Sequence, residues 1–367
     1  MGNDAIVIGA GIAGLTAAAL LTARGLRVTV LEQNWLPGGC TSSYPRHGYI
    51  FESGATTLVG LDAGMPLRLV LDRTGIQLEA IRLEIPMRVH LSGGEVITRH
   101  EAMSDWIEEA ERAFGARGQR AFWEQCLDVA EQVWKTSGRQ LSFPPSRWQD
   151  LVGMARGFAF GQLGLLPHAF SSLEQLLRKH GLAENARFRA FVDEQLLITA
   201  QNHAPEVNAL FGATALCYTN FGNYYLPGGM IELVRPFVDY IERGGGKVLL
   251  RHRVTEVKAS EGGYVIGTQK HGEFRAPYLV SGIPLNNTLP MFGGDLQRRW
   301  ESATMEPTQL RSAFTMGIVF KRRQEFDCLH HQVHLPQPLP QIGGGSISLS
   351  LSHPETSCGA PRPVRGV

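Results

Sequence analysis

The chain opens on an unbroken apolar run, Ala5 to Ile8, rich in β-branched residues. Such a run fits a short strand buried on both faces. Gly9 to Gly14 interrupt it, and an alanine- and leucine-rich segment then continues to about Arg24, where Gly25 stops it. Val28 to Leu31 repeat the short apolar run. The switch of period predicts a strand–helix–strand unit of about 30 residues. Farther on, Gly93-Gly94 separates two alternating stretches and predicts a hairpin over 86–99. From Met103 to Thr136 the pattern is helical, and Pro144-Pro145 breaks it. Residues 147–200 are again helical in pattern, interrupted at Pro167. Pro227-Gly228-Gly229 opens a helix from Met230 to Arg243, closed by the glycine run 244–246. Short strands follow at Lys247 to Leu250, Val254 to Lys258, Tyr264 to Gln269 and Tyr278 to Gly282. A stretch punctuated by Pro336, Pro338 and Pro340 precedes the strand-like Ser346 to Leu351, and there is no internal repeat. This order predicts an α/β chain with a Rossmann-like nucleotide domain that is discontinuous, over 1–85 and 226–300. An α+β substrate domain is inserted at 86–225, and 301–367 supply its returning strands.

Composition narrows the classes. At 367 residues, 43% of them apolar and 19% charged, the chain can bury two sizeable cores. Thirty-five lysines and arginines against 34 acids leave a net charge of +1, so no nucleic-acid partner is expected. Cys40, Cys126, Cys217, Cys328 and Cys358 are odd in number, far apart and without a CxxC pair. That argues against a disulfide framework or zinc ribbon and for a reducing, cytoplasmic compartment. No basic-then-apolar leader, myristoylation pattern or uninterrupted span of about 18 apolar residues is present.

The chemistry begins at Gly9-Ala10-Gly11-Ile12-Ala13-Gly14, a GxGxxG loop. Gly9 permits the tight strand-to-helix turn, Gly11 lets backbone approach a pyrophosphate, and Gly14 lets helix and strand pack. The phosphates would lie on the helix N-terminus, where free N–H groups and the dipole favour negative charge. Glu32 lies 18 residues beyond Gly14, at the end of the second strand. Its carboxylate can accept from ribose hydroxyls and would repel a 2′-phosphate, which disfavours NADP. The loop alone does not separate FAD from NAD, because both carry ADP. A second glycine pair, Gly38-Gly39, followed by Cys40-Thr41, allows another close approach to a long cofactor.

With Gly48 to Gly54 added, residues 5–60 resemble the amine-oxidase-type flavoproteins, and more narrowly their carotenoid desaturase and isomerase branch. The shared pattern is GxGxxGLxxAxxL, VxVxE, GG and GFxFDxG, here carried by Gly14-Leu15, Ala18, Leu21, Val28, Val30, Glu32 and Gly38-Gly39. Glu52 stands where that branch usually has Asp, and Pro37 where an apolar residue is more usual. Pro227 to Met230 and Gly244 to Val248 are similar to the branch's central segment. Within the branch the chain is most similar to the carotenoid 3′,4′-desaturases. The resemblance implies FAD, with Gly54-Ala55-Thr56 near the flavin and the Val254 backbone against the adenine. It implies a long carotenoid-like substrate, desaturated or isomerised with the flavin as hydride acceptor, and taken from a membrane the protein touches peripherally. A retinol-saturase-like reductase, an amine oxidase acting on a smaller substrate and a non-catalytic nucleotide-binding remnant stay open as alternatives. No GxSxG, HExxH or Cys/His pairing is evident, and no catalytic base is assigned. The branch generally continues into a further glycine-rich flavin segment that 300–367 do not show, so an incomplete FAD site, an exposed apolar surface and weak FAD binding are expected.

Three other features have plainer readings. Residues 151–170, with Leu151, Phe158, Phe160 and Phe170, and with Gly153, Gly157 and Gly161 on one face, are the candidate membrane contact or else a buried helix. His330-His331-x-x-His334 lacks a carboxylate at helical spacing and is expected to be polar strand or loop, not a metal site. Glu108, Glu109 and Glu111 are expected on a solvated helix face. Trp106, Trp123, Trp134 and Trp148 are expected in the core or along a substrate channel.

Overall fold

The computed structural model describes residues 2–137, 165–306, 314–319, 328–339 and 344–350. The first strand, β1 (Ala5–Ile8), runs parallel to β2 (Val28–Leu31), with helix α1 (Ile12–Thr22) between them. Two strands from far along the chain complete this sheet. β9 (Lys247–Leu249) pairs with β2 and β13 (Tyr278–Ser281) with β1, giving the parallel order β13-β1-β2-β9. Both faces are covered, which explains why the strands are apolar without alternation. Ala5, Val7, Val28 and Val30 pack with α1 and with the helix over Ile231–Arg243. Ile6, Ile8 and Leu31 face the antiparallel meander β10 (Val254–Ser260), β11 (Gly263–Thr268) and β12 (Glu273–Ala276). The chain therefore has the Rossmann-like α/β fold expected, assembled from separated segments.

A second core lies over a mixed sheet of order β15-β14-β6-β7. Its hairpin, β6 (Met87–His90) and β7 (Val96–Arg99), turns at Gly93-Gly94 as expected. β14 (His330–Leu339) runs parallel to β6 and antiparallel to β15 (Gly344–Ser350). Pro336 and Pro338 fall where the β14–β15 register slips, between His334 and Leu339, a place where missing N–H donors cost no ladder bonds. Helices over Met103–Phe114, Gln119–Ser137, Leu173–Lys179, Ala186–Thr199 and Ala209–Leu216 contribute to this core. Trp106 and Trp123 are fully buried in it, edge to face at 5.1 Å. Trp148 and residues 151–164 of the candidate membrane segment lie outside the described residues. Of the remainder, Leu165 is buried and Phe170 is 90% exposed. Glu109 is not simply solvated. It accepts from the Thr98 backbone N–H and from Arg112, and these bonds hold its carboxyl below the usual range.

The chain crosses between the two cores at 58–83 and at 221–226. Leu58 and Tyr224 exchange backbone hydrogen bonds, and β5 (Ile81–Arg82) pairs with β8 (Tyr224–Tyr225). Asp62 accepts from the Tyr224 hydroxyl at 2.6 Å and the Gly222 N–H at 2.9 Å, and Arg82 bridges Asp62 to Glu101.

Arg99 ends β7 inside the helical core, wholly buried. Its guanidinium lies 3.9 Å over Trp106 and donates to the Leu216 carbonyl and to Thr219 Oγ1. Burial pulls its pKa down to about 10, which leaves it a cation at neutral pH. Arg99→Ala removes these bonds and opens a cavity, at a cost of roughly 3 kcal/mol. Arg99→Met, which keeps most of the volume, should cost less. Urea unfolding of the two variants would separate volume from hydrogen bonding.

Candidate functional site

The site is built at the carboxyl ends of β1 and β2. Gly9 has φ +93°, and its N–H donates to the Leu31 carbonyl at 2.8 Å, closing the turn out of β1. Gly14 must lack a side chain, because a β-carbon there would lie 2.0 Å from the Gly9 carbonyl oxygen. Gly282, just beyond β13, backs onto the same point; a β-carbon on it would lie 2.6 Å from Gly14 Cα. Gly11 differs in kind. It is the N-cap residue of α1, no side chain caps that terminus, and a β-carbon on Gly11 would meet nothing within 4 Å. The first N–H groups of α1, around Ile12 and Ala13, thus open on free space.

Glu32, 5% exposed, points its carboxylate at this turn. Oε2 accepts from the Ala10 N–H at 2.7 Å and Oε1 from the Asn34 N–H at 2.8 Å. Each oxygen keeps acceptor capacity for a further donor. The chain entering β10 is laced to the same place, His252 N–H donating to the Glu32 carbonyl and Arg251 N–H to the Asn34 carbonyl. Val254 follows there, its side chain in the core between sheet and meander.

From Gly11 the open backbone continues. The Gly38 N–H donates to the Ala10 carbonyl at 2.7 Å, and a β-carbon on Gly39 would sit 3.6 Å from Gly11 Cα. Thr41 Oγ1 donates to the Gly38 carbonyl and holds the turn Gly39–Thr41. The Cys40 carbonyl accepts from the Ala55 N–H at 2.9 Å and lies 3.2 Å from where Gly54 would carry a β-carbon. Thr56 comes next, its Oγ1 3.0 Å from His330 Nε2 on β14. Gly9 to Gly14, Glu32, Gly38 to Thr41, Gly54 to Thr56 and the Val254 segment are therefore linked into one track of exposed main chain. Buried Ser42 Oγ has no partner among the described residues and stands beside it. A long cofactor carrying a diphosphate and a ribose fits this arrangement: donors at one end, a carboxylate beside them, and bare backbone leading away.

The sequence reading missed what fastens the track. Residues 43–52 form a hairpin, β3 (Ser43–Arg46) and β4 (Tyr49–Glu52), turned at His47-Gly48, both at positive φ. That pair, between short alternating stretches, was the available sequence signal. Ser43 Oγ donates to Glu52 Oε2 at 2.5 Å and accepts from the Ile231 N–H, while Glu52 Oε1 accepts from the Met230 N–H at 3.1 Å. Glu52 and Ser43 thus cap the helix over Ile231–Arg243 and tie the hairpin to the Pro227–Met230 segment. The His330–His334 stretch gathers no metal-holding cluster among the described residues. His331 instead pairs with His90 on β6, Nδ1 to Nε2 at 2.9 Å.

This fold and track define a dinucleotide-binding flavoprotein of the two-segment Rossmann type. The family described as flavin containing amine oxidoreductase matches residues 12–358, and the chain belongs to it. Its cofactor is FAD. The chain is similar to prolycopene isomerase 1 of an Oncidium hybrid cultivar, 26% identical over 76% of this chain and 48% of that one. It is 27% identical to the all-trans-retinol 13,14-reductase of Danio rerio, over 78% and 48% of the two chains. It is 29% identical to the phytoene dehydrogenase of Streptomyces griseus, over 78% and 56%. The chain thus spans about half the length of the curated relatives it matches. Among solved structures, a putrescine oxidase superposes with TM-score 0.54 at 18% identity, over 82% of this chain and 63% of that one. A fatty acid isomerase of P. acnes gives 0.53 at 19%, over the same shares, which speaks to the fold alone.

Two outcomes test the site. Gly11→Val should fold and lose FAD uptake, since its side chain enters only the open space, whereas Gly14→Ala should be destabilised by more than about 3 kcal/mol. Thermal unfolding and flavin absorbance of the two variants distinguish these effects. The second outcome concerns Glu52, whose carboxyl burial raises above its ordinary 4.5, partly opposed by bonds from Ser43 and Met230. The neutral form is favoured in the fold, so its contribution is full below the ordinary value and is lost as pH rises through the raised one. Urea midpoints of the parent chain should fall from pH 4.5 to neutrality more steeply than those of Glu52→Gln.

Proposed function

We propose that this chain acts within an FAD-dependent oxidoreductase whose substrate is a long apolar polyene, which it desaturates or isomerises. The observation that carries the cofactor half is the uncapped terminus of α1 over unfilled space at Gly11, with Glu32 alongside. In this reading the amides from Gly9 to Gly14, those of Ala10, Ile12 and Ala13 among them, line the diphosphate. Glu32 takes the ribose hydroxyls, and the Val254 backbone meets the adenine. Gly38, Gly39, Cys40 and Thr41 follow the cofactor's length, and Gly54, Ala55 and Thr56 meet its ring. Bound FAD supplies a two-electron acceptor; the protein supplies orientation and a water-poor setting.

The substrate half is supported by the relatives' names, since a prolycopene isomerase, a retinol reductase and a phytoene dehydrogenase each handle a conjugated or conjugating hydrocarbon chain. An insoluble substrate of that kind is drawn from a lipid phase. We assign the contact with a membrane surface to the stretch 151–170, with the catalytic body on the cytoplasmic side. No described helix is long and apolar enough to cross a membrane.

Expression in a host that accumulates acyclic carotenoids tests the substrate. Extracted pigment should absorb at longer wavelength if double bonds are added, or change its cis–trans composition at constant mass if bonds are rearranged. A chain that carries flavin and leaves every pigment unchanged would refute the polyene assignment and point to a smaller substrate. A chain without flavin would refute the oxidoreductase itself.

A further inference from the structure

We propose that His330 is a positioning residue, through which the second sheet fixes the Thr56 hydroxyl at the flavin end of the cofactor track. This rests on the functional reading above and adds a residue to it. Thr56 belongs to the cofactor side. It follows Gly54 and Ala55, and Ala55 is bonded to Cys40 in the turn that lies against Gly11. His330 belongs to the other side, as the first residue of β14, 274 positions away in sequence. The 3.0 Å contact between Thr56 Oγ1 and His330 Nε2 joins the two exactly where bare backbone gives way to a side chain that can form directed bonds.

His330 is also held from behind. Gln332, two residues on and on the same face of β14, accepts from Gln195 Nε2 and donates to the Glu194 carbonyl, which ties the strand to the helix over Ala186–Thr199. His331, on the opposite face, is bonded to His90, and the Cys328 thiol donates to the His330 carbonyl. Strand β14 thus has partners on both faces around this one imidazole. A support of this kind is what a site needs to hold a hydrogen-bonding group within a few tenths of an ångström.

The protonation state sets the polarity of the pair. Burial and the neighbouring His331 lower the His330 pKa to about 4, so the ring is neutral at physiological pH. With Nε2 as acceptor, Thr56 spends its hydrogen on His330 and turns oxygen lone pairs outward. The hydroxyl then offers the cofactor an acceptor, and the isoalloxazine ring carries N–H groups to match. A threonine without its histidine is free to rotate and to present either its hydrogen or its lone pairs.

The test uses the full chain and FAD, with four variants: His330→Gln, His330→Leu, Thr56→Ser and Thr56→Val. Dissociation constants come from quenching of flavin fluorescence, and the environment of the ring from the visible absorption bands of bound FAD. Loss of one directed bond should weaken FAD about fivefold to tenfold in His330→Leu and in Thr56→Val. Both should also shift the flavin bands. His330→Gln and Thr56→Ser, which keep the bonding groups, should stay near the parent. The double variant, His330→Leu with Thr56→Val, should be no weaker than either single one, because both remove the same bond. Unchanged affinity and spectrum in the Leu and Val variants overturn the proposal and leave the FAD reading standing. Additive losses overturn it too, as does equal damage in Gln and Leu, since these mark an effect of packing alone. Failure of the parent chain to take up FAD overturns the functional reading and this inference together.

Discussion

The closeness of α1 to its sheet governs the rest of the structure. Gly9, Gly14 and Gly282 meet where three chain segments converge, and a β-carbon on Gly14 or Gly282 would fall 2.0 to 2.6 Å from neighbouring backbone. Side-chain-free contact at that point lets the helix begin directly over the ends of β1 and β2, so its first N–H groups face the crevice and not the core. The second glycine turn then rests on the first through the Gly38–Ala10 hydrogen bond, and the third segment rests on the second through Ala55 and Cys40. Each layer of the track is referred to the one beneath it, and all of them to a helix placed by the absence of atoms.

The parts legible in the sequence were those whose causes are local. The β1–α1–β2 unit, the helix after Pro227, the Gly93-Gly94 hairpin and most strands between 247 and 282 follow from apolar runs and glycine stops, and they stand close to their expected bounds. The parts that were not legible depend on distant partners. β12, the Glu273–Ala276 strand, has little apolar pattern of its own and exists because β11 offers it an edge. The Tyr49–Glu52 strand was visible as a motif but not as half of a hairpin, and nothing near Glu52 announces that its partners are Met230 and Ser43. Glu109 has the pattern of a solvated face, yet it is recruited by a backbone N–H of the neighbouring hairpin.

The same contrast separates the two cores. Around β1 the packing is aliphatic and small, and polar groups sit at its rim, where a ligand can use them. In the second core the side chains are aromatic and large, and Arg99 lies inside among Trp106, Trp123 and Phe191. Its bonds to Leu216 and Thr219 satisfy part of the guanidinium, and ring faces take the remainder of the positive charge. A buried cation of this kind is specific in direction, and it sets how the hairpin meets the helices above it.

The pairing of β6 with β14 has a consequence for the life of the chain before it is folded. Arg88 to His90 wait for His331 to Val333, more than 240 residues downstream. During synthesis at roughly 5–20 residues per second, that interval leaves the edge of an apolar hairpin unmatched for tens of seconds. Contacts so distant along a polypeptide also slow the search once synthesis ends. Newly made protein is thus expected to depend on holding chaperones, and its yield on being made slowly and at low temperature.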